Sequence, residues 1–337
     1  MDFAMDNDLD MELLSLKRHA EWKGKVGTEV KVPVKSGSDF NMAFVPGCIE
    51  PCLEIEYDEK ASFAYSGRCN KVAVISDGSA VLNLGNIGPA ASLPYIEGKC
   101  AVFKAAAGVD AVPLCVTGET TEKLIQSVEA FSKNFGAVSL TGIEKEKSLL
   151  LQKELAEKCQ IPVWADEIDA FAIAICAGII NTAKFLNKDT SAMLTYVKLS
   201  DADYETLSMM AEEMNLGRIT RQQEELVNAD LFVDLVTDID GLNIAQKSNV
   251  PVVLGLSNQK AAMLAAPGVF KGLLDSKCKT ITKDMKEAAA RALASVIYDD
   301  EICEDDILPG IFEIEVIEAI SAAIVDVCGK EGMKGNV

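Results

Sequence analysis

Residues 71–115, KVAVISDGSAVLNLGNIGPAASLPYIEGKCAVFKAAAGVDAVPLC, decide the fold. The stretch opens with Val72–Ile75, a β-branched and alanine run ending in Ser76-Asp77-Gly78, the pattern of a buried strand feeding a turn. A Gly-rich turn region follows, then one lysine in apolar surroundings, Lys99, and residues 101–116 repeat the strand pattern. NLGNIG (Asn83–Gly88) has the outline of a dinucleotide loop. Its first position is Asn, however, and Pro89 and Pro94 break the helix that such a loop must feed, so it reads as a substrate-side loop or a plain turn. Lys99, on residue type alone, is a lysine at a strand entrance with its ammonium in water. If it is buried instead, it loses its proton easily and becomes a usable general base.

Outward from this stretch the pattern alternates. Thr121–Phe135 reads as an amphipathic helix with Leu124, Ile125, Val128 and Phe131 on one face, Ala137–Leu140 as a strand, Lys147–Cys159 as a helix and Ile161–Trp164 as a strand. Such alternation predicts an α/β layer with a mostly parallel sheet. Ile168–Leu186 is a long apolar helix joining two domains. From Asp189 the alternation restarts with strand Met193–Lys198, a helix capped by Ser200 and running to Met214, and strands Leu231–Val236 and Val250–Leu256. Helices Ile281–Ile297, capped by Thr282, and Ile314–Cys328 close the chain before a fraying tail, GKEGMKGNV. Upstream, Met11–Trp22 predicts a helix, and a short helix over Cys52–Glu56 has Pro51 at its first position.

Composition excludes several classes of function. The 337-residue chain carries a net charge of −20, so polyanionic nucleic acids and anionic membrane surfaces are disfavoured as partners. Its ten cysteines contain no CxxC pair, and the single histidine, His19, rules out a histidine-based metal cluster. Free thiols in apolar runs (Cys100, Cys115, Cys176, Cys328) point to a reducing compartment. The acidic start lacks the regions of a signal peptide, and the Ala170–Ile180 run falls short of the ~20 residues a bilayer span needs. A cytoplasmic protein is expected.

Two further places bear on function. Asp166-Glu167 follow a strand at the carboxyl edge where α/β proteins place ligand sites, but acidic residues also favour a helix start with no function at all. After the strand at 193–198, a dinucleotide fold shows glycines that let the backbone approach the pyrophosphate. Here the chain reads KLSDADYETLSMM, without glycine and with Asp201, Asp203 and Glu205 repelling phosphate.

FVPGCIEPCLEI, the 71–115 stretch, IPVWADEIDAFAIAICAGIINTAKFL, NQKAAMLAAPGVFKGLLDSKCKTIT and MKEAAARALAS together resemble the malic enzyme family of the short bacterial type. The resemblance covers about 40–186 and 257–295 and is faint between, where this chain is several tens of residues shorter. It implies a malic-enzyme-like amino-terminal domain (1–166), a reduced NAD(P)-binding-like parallel-sheet domain (167–295) and a carboxyl-terminal helical segment (296–337). The family oxidises L-malate with NAD(P)⁺ and decarboxylates the product to pyruvate with Mg²⁺ or Mn²⁺. Carried over by position, the general-base lysine matches Lys99 and its supporting aspartate matches Asp166. Other positions depart. Phe44 stands at the proton-donating tyrosine, and Thr141 and Gly142 stand at two metal ligands. Glu167 stands at the third ligand, Asp169 at a loop histidine, and Ala261 and Ala262 at two substrate asparagines. Asn258 matches one of two family asparagines. Two readings follow. One is a non-catalytic or altered member that binds a small carboxylate near Lys99, as a homodimer or assembled with a complete malic enzyme. The other is an active enzyme whose metal is held by Glu167 with Asp77, Asp110 and Asp166.

Overall fold

In the computed structural model, which describes residues 2–117, 120–234, 250–255, 257–304 and 306–331, two parallel four-stranded sheets share one topology. The first has β1 (Lys71–Ser76), β2 (Asp110–Cys115), β3 (Ala137–Leu140) and β4 (Val163–Trp164) in the order β2-β1-β3-β4. Val72 lies opposite both Ala111 and Ala137, and Val138 opposite Val163. The second has β5 (Leu194–Lys198), β6 (Arg218–Thr220), β7 (Leu231–Asp234) and β8 (Val252–Gly255) in the order β6-β5-β7-β8. Central strands of parallel sheets are buried on both faces, which is why β1, β3 and β7 are near-continuous apolar runs.

Upstream of the sheets come α1 (Asp2–Trp22), α2 (Gly37–Ala43), α3 (Ile49–Tyr57) and α4 (Ser62–Tyr65). Around the first sheet lie α5 (Gly88–Ala107), α6 (Thr121–Ser132) and α7 (Lys145–Cys159). Then follow α8 (Asp166–Phe185), α9 (Asp201–Glu213), α10 (Asn258–Ser276), α11 (Lys283–Ala294) and α12 (Ile314–Lys330). Among the described helices, α8 alone has the length and apolar composition of a membrane span, but 72% of that window is buried inside the protein. It is the central helix of one core running from Val72, Phe103 and Trp164 to Val233 and Ile320. A second core, with Ala73, Ile75, Leu124 and Leu151, covers the other face of the first sheet. At Gly268 and Gly272 of α10 a side chain would come within 2.8 and 2.6 Å of Ile320 and Ile324, so these glycines let α12 lie close.

The largest correction concerns residues 88–107, expected as turn and strand and found as α5. Pro89 sits in the first helical turn, where a missing N–H costs nothing. Pro94 forfeits one hydrogen bond inside the helix, yet the burial of Ile96, Lys99, Cys100, Phe103 and Ala107 follows helical period, and the Ala-rich segment favours a helix. Gly108, left-handed at φ 66°, ends the helix, so the strand is only Asp110–Cys115. Elsewhere the ends move: α1 starts nine residues before Met11, α6 stops at Ser132, β4 keeps two residues, and α8 begins at Asp166 rather than Ile168. The caps Ser200 and Thr282 accept from Asp203 N and Met285 N as expected. Of the strands expected at 231–236 and 250–256, residues 235, 236 and 256 lie outside the described residues, as does 332–337 of the tail.

Candidate functional site

The carboxyl ends of β1, β3 and β4 face the middle of α5 and the start of α8, and four side chains meet there. Tyr95 and Lys99, four residues apart on α5, share a helix face. Asp166 and Glu167 occupy the first turn of α8. Lys99 Nζ lies 2.6 Å from Asp166 Oδ2 and donates a hydrogen bond to Thr141 Oγ1 at 3.0 Å. Asp166 is fully buried; its Oδ1 accepts from Ser139 Oγ at 2.6 Å, while Oδ2 faces the ammonium without a well-aligned hydrogen bond. Burial pushes the Asp166 carboxyl above its ordinary range, against the pull of Lys99. Tyr95 donates to Glu167 Oε1 at 2.5 Å, and the Gly142 N–H donates to Glu167 Oε2 at 2.8 Å. Burial first, and the Glu167 charge second, push the Tyr95 phenol far up, so it holds its proton.

Close backbone approach builds the turn beneath. Gly78 has φ +71°, and a Cβ there would lie 2.1 Å from the Gly88 carbonyl oxygen; its own carbonyl accepts from Ile87 N and Gly88 N at 3.0 and 3.2 Å. Gly142, at φ +62°, would press a Cβ to 2.8 Å from Ser76 Oγ, the atom that accepts from Gly78 N and donates to the Gly142 carbonyl. Above these groups opens a cleft of about 350 Å³, lined among others by Lys25, Tyr95, Lys99, Glu167, Gln259 and Ala262. Lys99, 5% exposed, is thus a buried helix residue rather than a lysine at a strand entrance.

A family model described as the malic enzyme N-terminal domain matches residues 24–132. An NAD-dependent malic enzyme of Geobacillus stearothermophilus is 30% identical, over 93% of this chain and 79% of the relative. The chain belongs to the malic enzyme family. The bifunctional malic/malolactic enzyme of Bacillus subtilis is 28% identical over 95% of this chain and 93% of its own. Among solved structures, a malic enzyme of Pyrococcus horikoshii superposes with a TM-score of 0.80 at 27% identity, covering 93% of this chain and 88% of that one.

Among the positions that the malic enzyme resemblance singles out, Lys99, Asp166, Glu167, Thr141, Gly142 and Ala262 are gathered at the cleft. Phe44 is not: it is 59% exposed, packs edge-on against Phe40 at 5.8 Å, and does not line the cleft. Asp169 accepts from Trp164 Nε1 at 2.7 Å and pairs with Lys286. Asn258 is the first residue of α10, and its side chain lies outside the described residues.

The divalent ion that the resemblance implies does not fit the groups present. A divalent cation needs several oxygens in a set array. Here both Glu167 oxygens already accept hydrogen bonds, Asp166 is buried against Lys99, and its neighbours at the ligand positions are a hydroxyl and a glycine. Among the described residues no three His, Cys, Asp or Glu side chains form a group able to hold a metal. The carboxylates that the rearranged set requires are dispersed. Asp110 opens β2 at the opposite end of the sheet, bound by Lys104, Lys31 and Asn70. Asp77 is held by Lys147 at 2.6 Å and by Ser79; burial works against its charge, yet these bonds keep it below the ordinary carboxylate range.

The dinucleotide fares no better. Family relatives use NAD or NADP by name. In this chain the β5–α9 turn presents Asp201 and Asp203 at the helix start, and Arg221 at the end of β6 reaches across to Asp201 at 2.6 Å while stacking 4.2 Å above the Tyr204 ring. A helix start that carries Asp201 and Asp203 is a poor pyrophosphate cradle. Tyr95 is the site residue that the sequence hid, and Thr141, singled out there as a lost ligand, holds the lysine instead. The Tyr95–Lys99 spacing of four is the signal, but it speaks only once the segment is read as a helix.

Proposed function

We propose that this malic-enzyme-family chain binds a small carboxylate in the Lys99 cleft and does not carry out the metal- and NAD(P)-dependent oxidative decarboxylation of malate. The observation that carries this reading is the setting of Glu167, among the described residues the one carboxylate on the cleft wall. Its oxygens accept from Tyr95 and Gly142, and among these residues no second or third carboxylate joins it. The other charged groups lining the cleft are the ammoniums of Lys99, paired with Asp166, and Lys25. An ammonium on a buried wall recognises a carboxylate by charge-assisted hydrogen bonding without an ion between them. L-malate and pyruvate are therefore expected to raise the unfolding temperature, and Lys99→Met to abolish the rise. No malate-dependent reduction of NAD⁺ or NADP⁺ is expected with Mn²⁺ or Mg²⁺. Turnover that disappears in Lys99→Met would overturn the proposal.

A second reading concerns assembly. Residues 11–65 leave Leu13, Leu16, Val30, Phe40, Met42 and Leu53 at least half exposed, apolar side chains of the kind that a protein–protein contact covers. This supports docking on a second copy or on a complete malic enzyme. Sedimentation of the chain alone and with such an enzyme distinguishes the two, and a monomer in both mixtures would exclude them.

A further inference from the structure

A second cavity, of about 260 Å³, lies at the other end of the first sheet, and no step of the proposed function uses it. Its walls come from the residues that precede the strands: Arg68 before β1, Gly136 before β3, Ile161 before β4. The carboxyl end of α10 closes it with Leu274, Lys277 and Cys278. The start of the same helix lines the Lys99 cleft through Gln259 and Ala262. Nineteen residues at 1.5 Å each put roughly 28 Å between the two cavities.

Its charge runs against that of the molecule. In a chain of net charge −20, this cavity gathers Lys60, Arg68, Lys277 and Lys279 around one carboxylate, Glu59. Glu59 is itself taken by Lys133 at 3.0 Å, with Arg68 at 3.8 Å. Among the described residues, Lys60, Lys277 and Lys279 form no ion pair; Lys279 donates only to Gln160 Oε1 at 3.2 Å. Arg68 is the built part. It is 6% exposed, its Nε donates to the Phe135 carbonyl at 3.0 Å and its Nη1 to Ser62 Oγ at 3.0 Å, and it lies 4.3 Å from the Phe63 ring centroid. These contacts fix the guanidinium and leave Nη2 for a ligand. Burial pushes the Arg68 pKa down, but arginine stays charged throughout the working range. The floor is apolar, with Phe63, Ile161 and Leu274. A fixed guanidinium, three ammoniums outside any ion pair among the described residues and an apolar floor match an anion with a compact apolar or aromatic body.

We infer that this cavity is a second ligand site, separate from the Lys99 cleft, for a small organic anion that carries an apolar or aromatic body on a phosphate- or carboxylate-like head. This site does not depend on whether the Lys99 cleft binds a carboxylate.

The test uses the full-length chain and phenyl phosphate as the probe, with inorganic phosphate (head alone) and phenol (body alone) as the separate arms, read by isothermal calorimetry. Phenyl phosphate is expected to bind saturably with 1:1 stoichiometry, at least tenfold tighter than either fragment. The double substitution Lys277→Gln/Lys279→Gln, at a half-buried and an exposed position, is expected to weaken it about tenfold with the unfolding temperature unchanged, and Lys60→Glu to weaken it further. L-malate at saturation is expected to leave its affinity unchanged. The inference is overturned by phosphate binding as tightly as phenyl phosphate, by unchanged affinity in the double variant, by competition from malate, or by no heat up to millimolar probe.

Discussion

The two sheets have one topology and opposite chemistry at the same edge. Where β1, β3 and β4 end, glycines at positive φ bring backbone segments within contact, and a lysine, a phenol and two carboxylates converge. Where β5 and β6 end, the turn has no glycine, and Arg221 pairs with Asp201 and stacks on Tyr204. Strand order is thus a scaffold, and the residues at the strand ends decide what it holds. The first edge keeps a cleft; at the second, the described turn presents an acidic helix start.

Breaking the first edge at its buried pair has the largest effect. Lys99→Met leaves Asp166 buried without its countercharge, and a loss of about 3–5 kcal/mol at pH 8 is expected in urea unfolding. With its carboxyl pKa already raised in the folded protein, the cost is absent below the unfolded value near 4 and grows as pH rises through the folded one. The deficit therefore shrinks on acidification, and a pH-independent deficit would place the damage elsewhere. Tyr95→Phe removes a hydrogen bond to a carboxylate and is expected to cost about 1.5–3 kcal/mol.

At the second edge the effects are smaller. Ser200→Ala removes the cap of α9 and is expected to cost about 1 kcal/mol in the same unfolding assay, without changing ligand binding in the Lys99 cleft. The smallest effect belongs to Asp110, away from both edges. Desolvation opposes its charge, but Lys104, Lys31 and Asn70 outweigh it and hold the carboxyl at about 2. Its stabilisation is present above the unfolded pKa near 4 and lost as pH falls from there toward 2. Lys104 and Lys31 are about half exposed, which limits the contribution to less than about 1 kcal/mol. Asp110→Asn should flatten the acid limb of the stability profile by that amount and no more.

The sequence carried more of the scaffold than of the site. β1 and β3 were legible because buried parallel strands are apolar runs bounded by turn residues, and α9 because Ser200 precedes a periodic segment. α5 was not legible, because prolines at 89 and 94 mimic loop punctuation. Only tertiary burial of Ile96, Cys100 and Phe103 shows that the helix outweighs the lost bond. With α5 hidden, Tyr95 could not be placed beside Lys99. Thr141 and Gly142 read as losses, whereas in the structure the Thr141 hydroxyl holds the lysine and the Gly142 N–H binds Glu167.

Gly142 also couples the floor of the cleft to its wall. A side chain at this position would press on Ser76 Oγ, and that hydroxyl holds the turn at Gly78. The N–H of the same residue anchors Glu167 above. One backbone position thus serves both layers, and a larger residue at 142 is expected to be felt at the Gly78 turn as well as at Glu167.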